Sequence, residues 1–149
     1  LINLILNDME EANAKATGEL YTLQLPSKVE SISALEALVE EVADKYQVSE
    51  DTFANMMTCL NEAAMNAILH GNKLDEKKTV YVNVEADSRR IVWTVADEGP
   101  GFNYNNLPDP TEPDRLEELT GRGVFILKHL ADQCIFNAAG NEVELHFKI

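Results

Sequence analysis

The chain has 149 residues, 45% of them hydrophobic, which supplies one domain with a sizeable core and is too little for two. Twelve Lys and Arg stand against 26 Asp and Glu, a formal net charge of −14, so an extended nucleic-acid contact would work against a strong repulsive field, and DNA and RNA are set aside as partners. No apolar run approaches the length of a membrane span, and the stretch from Leu1 to Leu6 is too short and lacks the basic lead of a secretory signal, so a cytoplasmic location is expected.

Residues 1–18 alternate apolar and acidic character without caps and are expected to form a lead or a short outer helix. Over residues 19–25, Leu20, Thr22 and Gln24 alternate with Tyr21, Leu23 and Leu25, the period of a half-buried strand, and Pro26 ends it. Ser27 with Glu30 three residues on reads as a capping box, ahead of Ile32, Leu35, Val39, Val42 and Tyr46 at helical spacing. Ser49 caps a second helix whose first turn holds Glu50 and Asp51, charges that suit the positive end of the macrodipole. Phe53, Met57, Leu60, Ala64 and Ala67 form its apolar stripe, and Gly71 is its stop.

Val80, Val82 and Val84, then Ile91, Trp93 and Val95, alternate on either side of Asp87 and Ser88 and predict a β-hairpin. It runs straight into Asp97-Glu98-Gly99-Pro100-Gly101-Phe102. Pro108, Pro110 and Pro113 crowd residues 103–120, read as a mobile flap with a short helical pattern at 114–119. Residues 121–131 predict a helix with Val124, Leu127 and Leu130 inward, and residues 134–138 and 143–149 a last hairpin turning at Ala139-Gly140-Asn141. Cys59 and Cys134 lack the spacing of metal ligands and are expected to be buried free thiols. The order implies an α+β two-layer sandwich over residues 19–149: a mixed, mostly antiparallel sheet with helices on one face.

Three stretches carry the chemistry. Glu62 and Asn66, spaced i and i+4, share one helix face on an Ala-rich surface that leaves room for a ligand. An Asn oxygen is a hard neutral donor suited to Mg²⁺, and a carboxylate one turn away can accept a proton; the same pair on any helix also reads as two solvated side chains. Asp97 follows an apolar strand, where a carboxylate needs donors: adenine offers its exocyclic amine, whereas guanine would present an oxygen. Asp-Glu-Gly-Pro-Gly is equally ordinary turn chemistry. Gly121-Arg122-Gly123 opens a helix, whose unpaired N–H groups and dipole bind anions, and Arg122 adds a positive charge there despite the acidic whole. There is no G-x-x-x-x-G-K-[ST] stretch, so this is not the P-loop solution.

Each stretch alone matches many unrelated loops, but their ordered conjunction is specific. It resembles the boxes of the gyrase, heat-shock chaperone, histidine kinase and mismatch-repair ATPase superfamily, with its Bergerat ATP fold. The narrower resemblance, over residues 62–71, 97–102 and 121–127, is to the anti-sigma-factor serine/threonine kinases. It implies that Glu62 is the general base toward a partner's serine, that Asn66 coordinates Mg²⁺, and that Asp97 binds the adenine of ATP. Gly99 and Gly101 would let the chain turn close to the nucleotide, while Gly121, Arg122 and Gly123 would hold its phosphates. It further implies a homodimer, a small anti-anti-sigma-like protein as substrate, and a sigma factor as a sequestered partner. Relatives often carry Gly-Thr near the last strand to help the phosphates, where this chain has Gly140-Asn141-Glu142. A non-catalytic module regulated by ATP would keep Asp97 and the glycines without needing Glu62.

Overall fold

A computed structural model describes residues 18–104 and 119–149, with the side chains of 119–121 left aside. In chain order it contains strand β1 (Glu19–Pro26), a 3-10 turn (Val29–Ser31), helix α1 (Ile32–Lys45), helix α2 (Glu50–Asn66), a π turn (Ala67–Gly71), strands β2 (Thr79–Ala86) and β3 (Arg90–Ala96), helix α3 (Leu119–Leu130), and strands β4 (Gln133–Phe136) and β5 (Glu142–Lys148). The strands form one sheet in the order β1-β2-β3-β5-β4. Every pairing among the described residues is antiparallel, so the sheet is not mixed there; each neighbouring pair is a hairpin or runs back on its partner.

Period-two alternation decides which side of the sheet is dry. Val80, Val82, Val84, Ile91, Trp93, Leu145 and Phe147 turn inward, each at most 1% exposed, and meet Leu35, Val39 and Val42 of α1 and Met56, Cys59 and Leu60 of α2. Burial of one such large apolar side chain stabilises the fold by roughly 1.5–3 kcal/mol. On the opposite face Tyr81, Asn83 and Glu85 are exposed. This is the expected two-layer arrangement with helices on one side.

Two local expectations change. Ser27 does not cap α1: its hydroxyl is fully buried and donates to the Lys78 carbonyl at 2.6 Å, while Ser31 precedes the helix and donates to the Pro26 carbonyl at 2.7 Å. The inward stripe of α2 is rotated from the expected one, with Met56, Cys59 and Ala63 buried and Phe53 and Met57 only partly so. Ser49 does cap α2, accepting the Thr52 N–H at 3.2 Å. Asp87 closes the β2–β3 turn by accepting the N–H groups of Arg89 at 2.7 Å and Arg90 at 3.0 Å. The lead at 1–18 and the flap at 103–120 fall almost wholly outside the described residues; at the flap's far end, Leu119 and Thr120 already belong to α3.

Both thiols are free. Cys59 is buried as expected and Cys134 only partly so; burial pushes the Cys59 thiol up to about 12 and Cys134 up to about 11, which favours the protonated form of both at neutral pH.

Candidate functional site

The site forms where α2 ends above the β3 and β5 strand ends. Ala63 and Ala67 present no bulk on this face, and they roof a cavity of about 170 Å³ walled by Val95, Phe102, Val124, Leu127, Phe136 and Val143. After Asn66 the helix widens into a single π turn, in which the Asn72 N–H donates to the Ala67 carbonyl at 2.8 Å. Such a turn interrupts the regular 3.6-residue phase, and here it brings His70 and Gly71 onto the cavity wall. Phe102 meets Phe136 edge-on at 5.5 Å, and Tyr104 stacks on Phe136 at 4.8 Å, giving the cavity an aromatic side.

Asp97 leaves the central strand β3 and puts its carboxyl into this apolar space. Burial pushes its pKa above the ordinary aspartate value, opposed by the Gly99 N–H, which donates to Oδ1 at 2.7 Å, and by the charge of Lys78. A half-buried carboxylate with one protein donor retains acceptor capacity toward a ligand amine. The carboxyl packs directly on the Cα of Gly71, where a Cβ would overlap it, and a Cβ on Gly99 would overlap the Gly71 carbonyl. Gly99 therefore braces the Asp97 turn from behind and is absent from the cavity wall, which Gly101 does line.

Gly101 and Gly140 lock two turns together. Both lie in the left-handed region, at φ 78° and 79°, and a Cβ on either would strike the other turn's backbone, at the Ala139 and Phe102 carbonyls respectively.

The other candidates gather at the far edge of the cavity. Asn66 lines it, and Glu62 lies one turn earlier on the same helix. Helix α3 crosses them at Gly123, where a Cβ would lie 2.8 Å from Asn66 Nδ2 and 3.1 Å from Glu62 Oε2. Asn66 thus belongs both to the apolar cavity and to the polar edge. The described part of helix α3 already includes Leu119 and Thr120, so Gly121 and Arg122 lie within the helix rather than opening it, and Arg122 is exposed. Gly123 matters through the close approach it permits between α3 and α2.

The polar edge supplies oxygen donors from Asn66 and Glu62. Among the described residues no group of three or more His, Cys, Asp and Glu is placed to hold a metal. That donor set fits a hard cation such as Mg²⁺, which takes most of its ligands from phosphate and water.

Sequence reasoning missed the residues that hold the site. Asn72, 1% exposed, donates to Ser27 Oγ at 2.8 Å and to the Thr79 carbonyl at 3.1 Å, and its Oδ1 accepts the Glu98 N–H at 2.8 Å. Asn137 Oδ1 accepts the N–H groups of Gly140, Asn141 and Glu142 at 2.8, 3.1 and 3.2 Å. Asn72 beside Gly71 is a turn signal, but nothing in the spacing reveals that its amide reaches Glu98 or that Asn137 holds the turn at 140–142.

Comparison with known proteins identifies the family. Residues 25–147 match the model of the family described as "Histidine kinase-like ATPase domain". The chain belongs to the histidine kinase-like ATPase domain family. Within it, the resemblance to anti-sigma-factor kinases holds: the chain is 23% identical over 126 residues to "Serine-protein kinase RsbW" of Bacillus subtilis (strain 168), covering 80% of this chain and 78% of that protein. It is 27% identical over 122 residues to "Anti-sigma F factor" of Geobacillus thermodenitrificans (strain NG80-2), covering 80% and 84%. Among solved structures, the RsbU and RsbW domains of Rv1364c from Mycobacterium tuberculosis superpose with a TM-score of 0.61 at 13% identity. That match covers 87% of this chain and 32% of the solved one, and it bears on the fold alone. The chain thus lies in an ATPase family whose relatives carry the names of an anti-sigma factor and a serine-protein kinase.

Proposed function

We propose that this protein is an ATP-dependent serine/threonine kinase of the anti-sigma type, which transfers the γ-phosphate of ATP to a serine of a small anti-anti-sigma-like regulatory protein. The observation that carries this reading is the meeting of Glu62 and Asn66 with Gly123 beside a cavity that holds the Asp97 carboxyl. A pure nucleotide-binding module has no need of Glu62 at that edge.

In this reading Asp97 accepts the adenine amine within the apolar cavity, while Gly101 keeps the chain close to the base. Asn66 is the protein ligand of Mg²⁺, which when bound neutralises phosphate charge. Gly121 and Arg122 face the phosphates from α3, and Gly123 lets that helix approach α2. Glu62 takes the proton from the partner's serine hydroxyl as its oxygen attacks the γ-phosphorus and ADP leaves. Phosphoryl transfer needs mainly positioning and charge neutralisation, and this arrangement of two helices and two locked turns supplies both.

The same kinship supports a homodimer that sequesters a sigma factor until the unphosphorylated partner competes, working in the cytoplasm without nucleic acid or membrane as partner. No helix among the described residues is long and apolar enough to cross a membrane. The test is transfer of label from γ-labelled ATP with Mg²⁺ to a small protein of the source cell, beside Glu62→Ala. An acid-stable band that vanishes with the variant supports the kinase. A band that persists with Glu62→Ala refutes the base assignment, and nucleotide binding without any transfer favours the regulatory module.

A further inference from the structure

Asn141 lies in the turn between β4 and β5, immediately before β5. Its side chain is already committed. Nδ2 donates to the Gly99 carbonyl at 3.2 Å, and Oδ1 accepts from Asn137 Nδ2 at 2.7 Å. Its main chain acts on the same loop, since the Asn141 carbonyl accepts the Asp97 N–H at 2.9 Å.

The register explains why one residue reaches both ends of the loop. Ala96 pairs with Glu142 at the end of the β3–β5 ladder, so the next residues outward, Asp97 and Asn141, face each other where the strands part. From there the side chain spans across to Gly99. The loop is held on its other side by Asn72, whose Oδ1 accepts the Glu98 N–H. Asp97, Glu98 and Gly99 are thus tied through consecutive peptide groups to two separate elements, and the Gly99 N–H in turn aims the Asp97 carboxyl.

We infer that Asn141 is a positioning residue for adenine selection: it fixes the Asp97 carboxyl through Gly99. This rests on the reading of the cavity as an adenine site. Asn137 serves as its anchor, because three N–H groups bonded to Asn137 Oδ1 hold the turn that carries Asn141. A preorganised acceptor distinguishes adenine from guanine; a loosened one can swing away from the guanine oxygen and tolerate it.

The test is calorimetric titration of the whole chain with Mg-ADP and Mg-GDP, for the unmutated protein, Asn141→Ala and Asn141→Asp. The Asp variant keeps the size and the bond from Asn137 but cannot donate to Gly99, so it serves even where Asn141→Ala fails to fold. The expected result is an ADP affinity lowered about tenfold, the scale of one lost hydrogen bond, with GDP affinity lowered less than twofold. ADP affinity within twofold of the unmutated protein, or equal losses for both nucleotides, overturns the inference. Absence of ADP binding by the unmutated protein overturns the adenine reading itself, a different outcome visible before any variant is compared.

Discussion

The carboxyl of Asp97 rests on the bare Cα of Gly71, in the space a side chain would fill. The π turn at the end of α2 and the end of β3 can meet only because that position is glycine. Gly71→Ala is expected to displace Asp97 and to cost about 1–3 kcal/mol of stability through overpacking. Thermal unfolding with and without Mg-ATP checks this: the variant should melt lower and lose most of the ligand-induced shift.

A methyl group at Gly123 would press on Asn66 and Glu62 together. Displacements near 1 Å at reacting groups cost up to about 100-fold in rate, so Gly123→Ala should lower kcat by ~10–100-fold. Gly123 does not line the cavity proposed for adenine, and the change in KM for ATP should be much smaller. Steady-state kinetics separate the two, and an unchanged kcat would argue against the α2–α3 edge as the place of transfer.

Burial raises the Asp97 pKa in the folded protein, so folding favours the protonated carboxyl. Its contribution to stability is fully present below the ordinary aspartate range, near pH 4, and is lost as pH rises through the raised folded value. Asp97→Asn removes that dependence while keeping an oxygen for the Gly99 N–H. Without ligand, the variant should gain stability relative to the unmutated protein between about pH 4 and neutrality, by no more than ~4 °C in Tm. Denaturation series across this range measure it, and a variant that loses ground as pH rises would contradict the assignment.

The buried side chain of Asn72 joins four segments through bonds to Ser27, Thr79 and Glu98. Asn72→Ala strands the Glu98 N–H and removes two donors' worth of bonding, so a loss of about 2–4 kcal/mol is expected. Chemical denaturation checks the value, and a loss under about 0.5 kcal/mol would show that the hub is not supporting the loop.

Much of the scaffold was legible because one periodicity dominates each segment. Val80, Val82, Val84 and Ile91, Trp93, Val95 alternate cleanly, and Ser49 stands before an acidic first turn, so local rules and tertiary packing agree there. Ser27 shows where they part. Its spacing to Glu30 suits a cap, yet a carbonyl 51 residues away takes its hydroxyl and Asn72 donates to it. No local pattern reports such a partner. The rotated stripe of α2 has a similar cause: the side that meets the sheet is chosen by fit, and Cys59 and Ala63 pack there better than Phe53 and Met57.

At the site, Glu62, Asn66, Asp97 and the glycines were visible as box residues, and the fold brings Asn66, Asp97 and Gly101 to one cavity with Glu62 and Gly123 at its edge. What the chain order could not disclose is the support. Gly71 read as a helix stop, whereas its place under Asp97 depends on a π turn that breaks the helical count. Asn141 read as a turn residue and Asn137 as part of the strand at 134–138, and the reach of Asn141 toward Gly99 depends on the β3–β5 register.

Calorimetric titration of Mg-ATP into the unmutated protein and into Asp97→Asn tests the adenine site most directly. The adenine assignment requires saturable binding that Asp97→Asn weakens at least about tenfold, since the amide presents a donor toward the adenine amine or leaves it a weaker acceptor. Absence of binding by the folded unmutated protein, or equal affinity in the two, would contradict it.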